Sequence, residues 1–465
     1  MSFFTGIYNA ISAFTDWLWG IPILIILVGG GIVLAVTIGG VQFTHLGFIF
    51  KNTLGTLFDK KEKSERKPGE ISPVQGMVAA ISATVGTGNI VGVGVAIALG
   101  GPGALFWMWV CGFLAMGIKY AEVTMSCKFR QPDGKGGYKA GPFMYIKDGV
   151  HSLPLAGIFG IMMLICLSTI CGVHASAIAS NMDSIGVPKI VSCVVMAAFV
   201  IAIAWGGMKT LVKITDLLVP FMGALYLVFA LIVIFANIGN IGTVFGSIFK
   251  GAFTGWAAVG GFTGATLAST IRWGLARGVF SNDAGLGLSA SVQAQVDNIG
   301  HPAKQGMWAI IETFLDTIVI CTLTGLVILF TGVWETGASG GTLATTAMGT
   351  VLGRVGQVGC IISLFLFGLS SLITDVQGVK IQAVSMFNST TLGIVFQAFI
   401  LLLVIGGSMA DVSTVFVFAD FSNGIILLIN ITCLLILHKT LRATSKEYFD
   451  AKGDLDAIAR AKVSK

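Results

Sequence analysis

The stretch Ile81-Ser-Ala-Thr-Val-Gly-Thr-Gly-Asn-Ile90 sets three helix-weakening residues, Gly86, Gly88 and Asn89, inside a segment apolar enough to lie in a bilayer. Free backbone N–H and C=O groups in hydrocarbon cost several kcal/mol each, so non-helical backbone survives there only against buried protein, water or a ligand. The break therefore predicts a binding site. A second break, Arg277-Gly-Val-Phe-Ser-Asn-Asp-Ala-Gly-Leu-Gly287, lies five apolar spans further on. Gly-interrupted segments in corresponding positions of two halves point to an inverted-repeat secondary transporter with its site at the midplane.

Composition fits that frame. Of the 465 residues 55% are hydrophobic and 11% charged, whereas ordinary globular chains carry about 25% charge. The expectation is an all-α polytopic membrane protein. Spans of about 20 apolar residues fall at roughly 17–43, 74–99, 103–127, 155–181, 190–205, 214–236, 252–295, 306–332, 355–375, 391–408 and 413–438, which makes eleven. The parse is an N-terminal segment 1–16, one extra helix at 17–43, a five-helix repeat at 74–236, a second at 252–438, and a tail at 439–465, expected as a short cytoplasmic helix or a disordered end. Loops 44–73, 128–147, 206–213, 296–305 and 376–390 and the tail together hold twenty-two Lys and Arg, against Lys189, Lys250 and Arg354 on the opposite side. Positively charged loops stay cytoplasmic, so the N-terminus is expected outside and the C-terminus inside a cell (inner) membrane. The net charge of +6 then reads as attraction to the anionic leaflet, not to nucleic acid. The first apolar run is too long for a signal h-region and is expected to be retained.

All eight cysteines fall inside these spans without metal-site spacing and are expected as small packing residues. With five histidines and neither an HExxH nor a GxSxG motif, an intramembrane enzyme is not expected.

The residues also resemble a known family. Gly69-Glu-Ile-Ser-Pro73, Ala83-Thr-Val-Gly-Thr-Gly-Asn-Ile90, Gly100-Gly-Pro-Gly-Ala-Leu-Phe-Trp-Met-Trp109, Arg277-Gly-Val-Phe-Ser-Asn282 with Ala284-Gly285, His301-Pro302, and Asp316-Thr317 followed by Cys321-Thr322 resemble the alanine or glycine:cation symporter family from about residue 10 to 440. The resemblance implies a leucine-transporter-like fold, in agreement with the five-plus-five parse. It further implies that the N–H groups of Thr87 and Gly88 bind a substrate carboxylate. Carbonyls around Phe280 and Ser281, with the Asp283 side chain, would meet its ammonium. Two sodium sites follow: one from the Thr84 carbonyl, Asn89 and Ser281 with Asp316 or Thr317, the other from the Ser82 and Val85 carbonyls with the hydroxyls of Ser370 and Ser371. A Ser-Ser pair in a membrane helix also occurs as a back-bonded pair that only bends it.

Ionisable residues inside spans are functional candidates by default. Glu122 is expected to be structural and His174 a core imidazole. Arg277 is expected to pair with Asp283, Glu312 or Asp316, either as a brace or as an extracellular-side gate. Departures from the family are Asp283 in place of Glu, Gly285-Leu-Gly-Leu-Ser-Ala290 after the second break, and Thr374-Asp-Val-Gln-Gly378 where an aromatic run is usual. The expected function is sodium-coupled symport of a small neutral amino acid, alanine or glycine. Two alternatives stay open: proton coupling or altered selectivity through Asp283, Asp316 or Asp375, and a non-transporting amino-acid sensor.

Overall fold

The computed structural model describes residues 2–58, 70–204, 206–257, 263–338 and 340–463. The basic residues Lys60, Lys61, Lys63, Arg66, Lys67 and Lys465, counted above for orientation, and Gly69 of the first family motif lie outside them. Membrane-length helices dominate: Thr5–Thr37 (α1), the bent pair Pro73–Thr84 (α2) and Val91–Gly100 (α3), and Gly103–Phe129 (α4). A two-stranded hairpin, Gln131–Pro132 (β1) with Tyr138–Lys139 (β2), leads to the short helix Pro142–Asp148 (α5). Leu153–Asp183 (α6), Lys189–Ala204 (α7), Gly207–Ala236 (α8) and Ile241–Thr254 (α9) follow. The second broken segment is Leu267–Asn282 (α10) with Leu288–Gln293 (α11). After it come Pro302–Thr331 (α12), Leu343–Phe387 (α13), Thr390–Met409 (α14), Val412–Ile436 (α15), His438–Asp450 (α16) and Leu455–Val463 (α17). Eight helices among the described residues are long and apolar enough to cross a membrane, and α2–α3, bent by 58°, makes a ninth as one span.

Local sequence fixes where these helices start. Ser72 and Gln75 form a reciprocal capping box ahead of α2, with Pro73 in its first turn, which satisfies N–H groups that a helix start leaves orphaned. Thr266, Ser389 and Asp411 accept from backbone N–H groups at the starts of α10, α14 and α15.

Two expected boundaries change. The segment 252–295 is not one interrupted span, because its first residues close α9, a separate helix. That helix buries Val244, Ile248, Gly251 and Ala252 and exposes Phe249 and Phe253, the one-sided stripe of an amphipathic helix lying on the bundle. The indole N–H of Trp107 donates to the Ala252 carbonyl at 2.8 Å and fixes its end. Second, the span expected at 355–375 belongs to a helix that runs on to Phe387 and is kinked at Gly353, whose φ of 60° glycine tolerates without a Cβ penalty. Of the two forms expected for the tail, the helical one is observed: Leu441 and Tyr448 of α16 are buried, Tyr120 donates to Ser445 at 3.0 Å, and His301 stacks on Tyr448. All eight cysteines are free and buried, as packing residues should be.

Candidate functional site

The α2 helix stops at Val85, Gly86 is extended (φ −131°, ψ −151°), and Thr87–Asn89 form a single 3-10 turn before α3 begins. In a continuous helix the Gly86 N–H would bond to the Ser82 carbonyl. Here it donates to Asn89 Oδ1 at 2.9 Å, which releases that carbonyl from helix bonding. In the second segment α10 ends with Asp283 in the left-handed region (φ 59°), followed by Gly285 and Gly287 at φ 84° and 85°. Such backbone is readily adopted only by Gly and, less often, Asn or Asp.

The two breaks touch. A Cβ placed on Gly88 would lie 3.0 Å from the Phe280 ring and 3.2 Å from Ser281 Cα, and one on Gly86 would collide with the Ser371 hydroxyl. Thus Gly88, Phe280 and Ser281, expected at the substrate site from residues far apart in the chain, share one location.

Asp316 organises the cation-site candidates. Its carboxylate accepts from Asn89 Nδ2 at 2.7 Å, Ser281 Oγ at 2.9 Å and Thr317 Oγ1 at 2.7 Å, and all four residues are fully buried. Asp316 and Thr317 lie in a π-helical stretch of α12, Phe314–Cys321, a local widening of the helix that recurs at functional sites. Cys321 joins them, taking contacts from Asn89 at 3.4 Å and Ser281 at 3.1 Å. The result is a buried oxygen cluster with one carboxylate, a donor set that suits a hard monovalent cation stripped of water.

The second expected group is partly assembled. Ser371 lies against Gly86, but the Ser370 hydroxyl bonds to the Phe367 carbonyl at 2.8 Å and faces Met222 Sδ at 3.5 Å. Ser371 also back-bonds to Phe367, at 3.2 Å. The hydroxyl that meets α2 is Thr374, 2.6 Å from Ser82 Oγ. Sequence reasoning missed it, although Thr374 sits one helical turn beyond Ser370.

Arg277 departs from expectation. Its partner is Asp420 of α15, not Asp283, Glu312 or Asp316. The guanidinium also lies 4.4 Å from the centroid of Phe416, which packs edge-on against Phe280 at 5.0 Å. Trp19 of α1 donates to the Asp420 carbonyl at 2.8 Å. Arg277, Phe280, Phe416 and Asp420 thereby form a connected layer beside the breaks. The three carboxylates near Arg277 in sequence are engaged elsewhere. Asp283 and Glu312 flank Lys119, a fully buried ammonium on α4, at 3.7 Å and 3.2 Å, and Lys119 also bonds Ser289. Asp283 Oδ2 further accepts from the Ser289 N–H at 2.8 Å. Glu122, expected to be structural, accepts from Asn430 at 2.5 Å, and Asn430 in turn holds the Gly285 carbonyl at 3.0 Å. Lys119 was missed because its span reads as apolar, yet Lys119 and Glu122 stand three residues apart on one helix face.

His174 is buried, as a core residue should be, but it is not isolated. Nδ1 lies 2.7 Å from Thr87 Oγ1, and Nε2 lies 3.4 Å from Asp375 Oδ2. His174 and Asp375 line a cavity of about 20 Å³ that also borders Gly88, Phe280, Ser281 and Asp283.

The sequence profile of the sodium:alanine symporter family matches residues 4–459. The sodium/alanine symporter AgcS of Methanococcus maripaludis is 35% identical over 465 residues, covering 96% of this chain and 97% of that protein. An uncharacterized transporter of Bacillus subtilis, YflA, is 34% identical, with 94% and 93% covered. The probable sodium/glutamine symporter GlnT of Bacillus subtilis is 30% identical, with 93% and 89% covered.

Proposed function

The chain belongs to the sodium:alanine symporter family, and from that premise we propose that it is a sodium-coupled symporter carrying a small neutral amino acid, such as alanine or glycine, into the cell by alternating access. The observation that carries this reading is the contact between the two breaks at Gly88, Phe280 and Ser281, with the Asn89, Ser281, Asp316 and Thr317 cluster beside it. A zwitterion needs donors at one end and acceptors at the other, and interrupted helices offer both. In this reading the N–H groups of Thr87 and Gly88 take the carboxylate. Carbonyls at Phe280 and Ser281, with Asp283 nearby, take the ammonium.

Sodium at the Asp316 cluster would tie the 3-10 turn to α10 and α12, since each supplies a ligand. A second ion would lie between Ser82, Val85 and Ser371, with Thr374 added and Ser370 less directly engaged. Binding of the two solutes is then reciprocal: sodium tightens amino-acid binding by the same factor as the amino acid tightens sodium binding. The architecture proposed is eleven spans, one extra helix followed by a leucine-transporter-like five-plus-five repeat, the first over 74–236 and the second beginning at α10. The basic loops and tail would be cytoplasmic and residues 1–16 outside. On that orientation the Arg277–Asp420 layer lies on the extracellular side of the site and acts as its gate.

Asn89→Ala and Ser371→Ala should each raise the sodium concentration needed for half-maximal uptake several-fold, with the protein still present in the membrane. The check is uptake into proteoliposomes across a sodium titration, with protein content measured by immunoblot. Unchanged sodium dependence in both variants would remove these ion sites from the account.

A further inference from the structure

The cavity beside the breaks is lined by two unlike groups of residues: Gly88, Phe280 and Ser281, matched above to the charged ends of an amino acid, and His174 with Asp375. The second carboxylate on the cavity, Asp283, is compensated by Lys119 and the Ser289 N–H. Asp375 is 1% exposed, its Oδ2 accepts no hydrogen bond, and its ion-pair partner among the described residues is the His174 ring at 3.4 Å. The other nitrogen of that ring is taken up by Thr87. A carboxylate has two acceptor oxygens, and a donor in the cavity that Asp375 lines can reach the one not turned to His174. Asp375 also sits one helical turn beyond Ser371, the residue that touches the first break, so it borders the same compartment without meeting the backbone groups themselves.

Resting on the symport reading, we propose that Asp375 is the specificity-determining residue of the side-chain pocket: it accepts a hydrogen bond from a hydroxyl on the substrate, so the preferred substrate is a small hydroxyl-bearing amino acid, with serine the simplest case. A hydroxyl fits better than an ammonium because His174 already stands against the carboxylate. A site that hydrogen-bonds a substrate hydroxyl discriminates strongly against the analogue lacking it, since the protein's own polar group is then left unpaired.

The test is competition against sodium-driven uptake of labelled serine by unlabelled serine, alanine and ornithine, in proteoliposomes of the parent protein and of Asp375→Leu. In the parent, serine should compete at least tenfold better than alanine, and ornithine should not compete. In Asp375→Leu the serine-to-alanine ratio should fall to near one. The ratio in the parent protein tests the proposal even where the Leu variant fails to reach the membrane, and Asp375→Asn, close in shape, should lower the ratio by a smaller factor. Alanine competing as well as serine in the parent, a ratio that survives in Asp375→Leu, or a preference for ornithine would overturn the assignment while leaving sodium-coupled symport standing. Absence of sodium-driven uptake of both serine and alanine would instead overturn the symport reading, and this assignment with it.

Discussion

In proteoliposomes, the Asp316→Asn protein should need at least ten times more sodium than the parent for half-maximal amino-acid uptake. Tenfold corresponds to about 1.4 kcal/mol, a modest demand on a buried carboxylate. Asp316 accepts from Asn89, Ser281 and Thr317 at once, so its replacement removes the negative charge that a cation would meet and disturbs three neighbours in the same step. Asparagine keeps the shape and one acceptor oxygen, so the fold should survive and the loss should appear in sodium dependence more than in protein amount. Thr317→Val, which removes one hydroxyl and no charge, should shift the curve less. Equal sodium dependence of parent and Asp316→Asn would take the cluster out of the coupling mechanism.

Lys119→Met should produce the largest loss of stability. Its ammonium is fully buried and stands between Glu312 and Asp283. Removing it strands two carboxylates in a low-dielectric interior, and breaking a buried ion pair in this way costs about 3–5 kcal/mol. The expected outcome is a markedly lower melting temperature in detergent, followed by size-exclusion chromatography after heating. The double variant Lys119→Met/Glu312→Gln should recover part of the loss, because it leaves one fewer uncompensated charge. A single variant that melts like the parent would mean that the ammonium does not compensate these carboxylates.

The parts of this molecule legible in the sequence were those written in local chemistry. Glycines and an asparagine inside an apolar run announce a broken helix whatever packs around them, and Gly86, Gly88, Asp283, Gly285 and Gly287 mark the two observed breaks. Long family motifs brought Asn89, Ser281, Asp316 and Thr317 into one expected group, and their side chains do meet. What was not legible depends on packing between distant segments. Arg277 was assigned to the carboxylates nearest in sequence, whereas its partner is 143 residues away on α15. The His174 imidazole and Asp375 were weighed separately because nothing local says that α6 faces α13 at that level. Thr374 replaces Ser370 beside α2 because helical rotation, not adjacency, decides which hydroxyl faces a neighbour. Likewise the last residues of α9, 252–254, were drawn into a membrane span because they are apolar, and only the one-sided burial of the whole helix reveals that it lies on the bundle.

The most direct test of the account is accumulation of radiolabelled alanine and, separately, serine in proteoliposomes of the purified protein. An inward sodium gradient would be compared with potassium in its place at constant pH. The account requires accumulation above equilibrium that depends on the sodium gradient and collapses in potassium. Accumulation driven equally well by a proton gradient in potassium, or no accumulation of either amino acid, would contradict it.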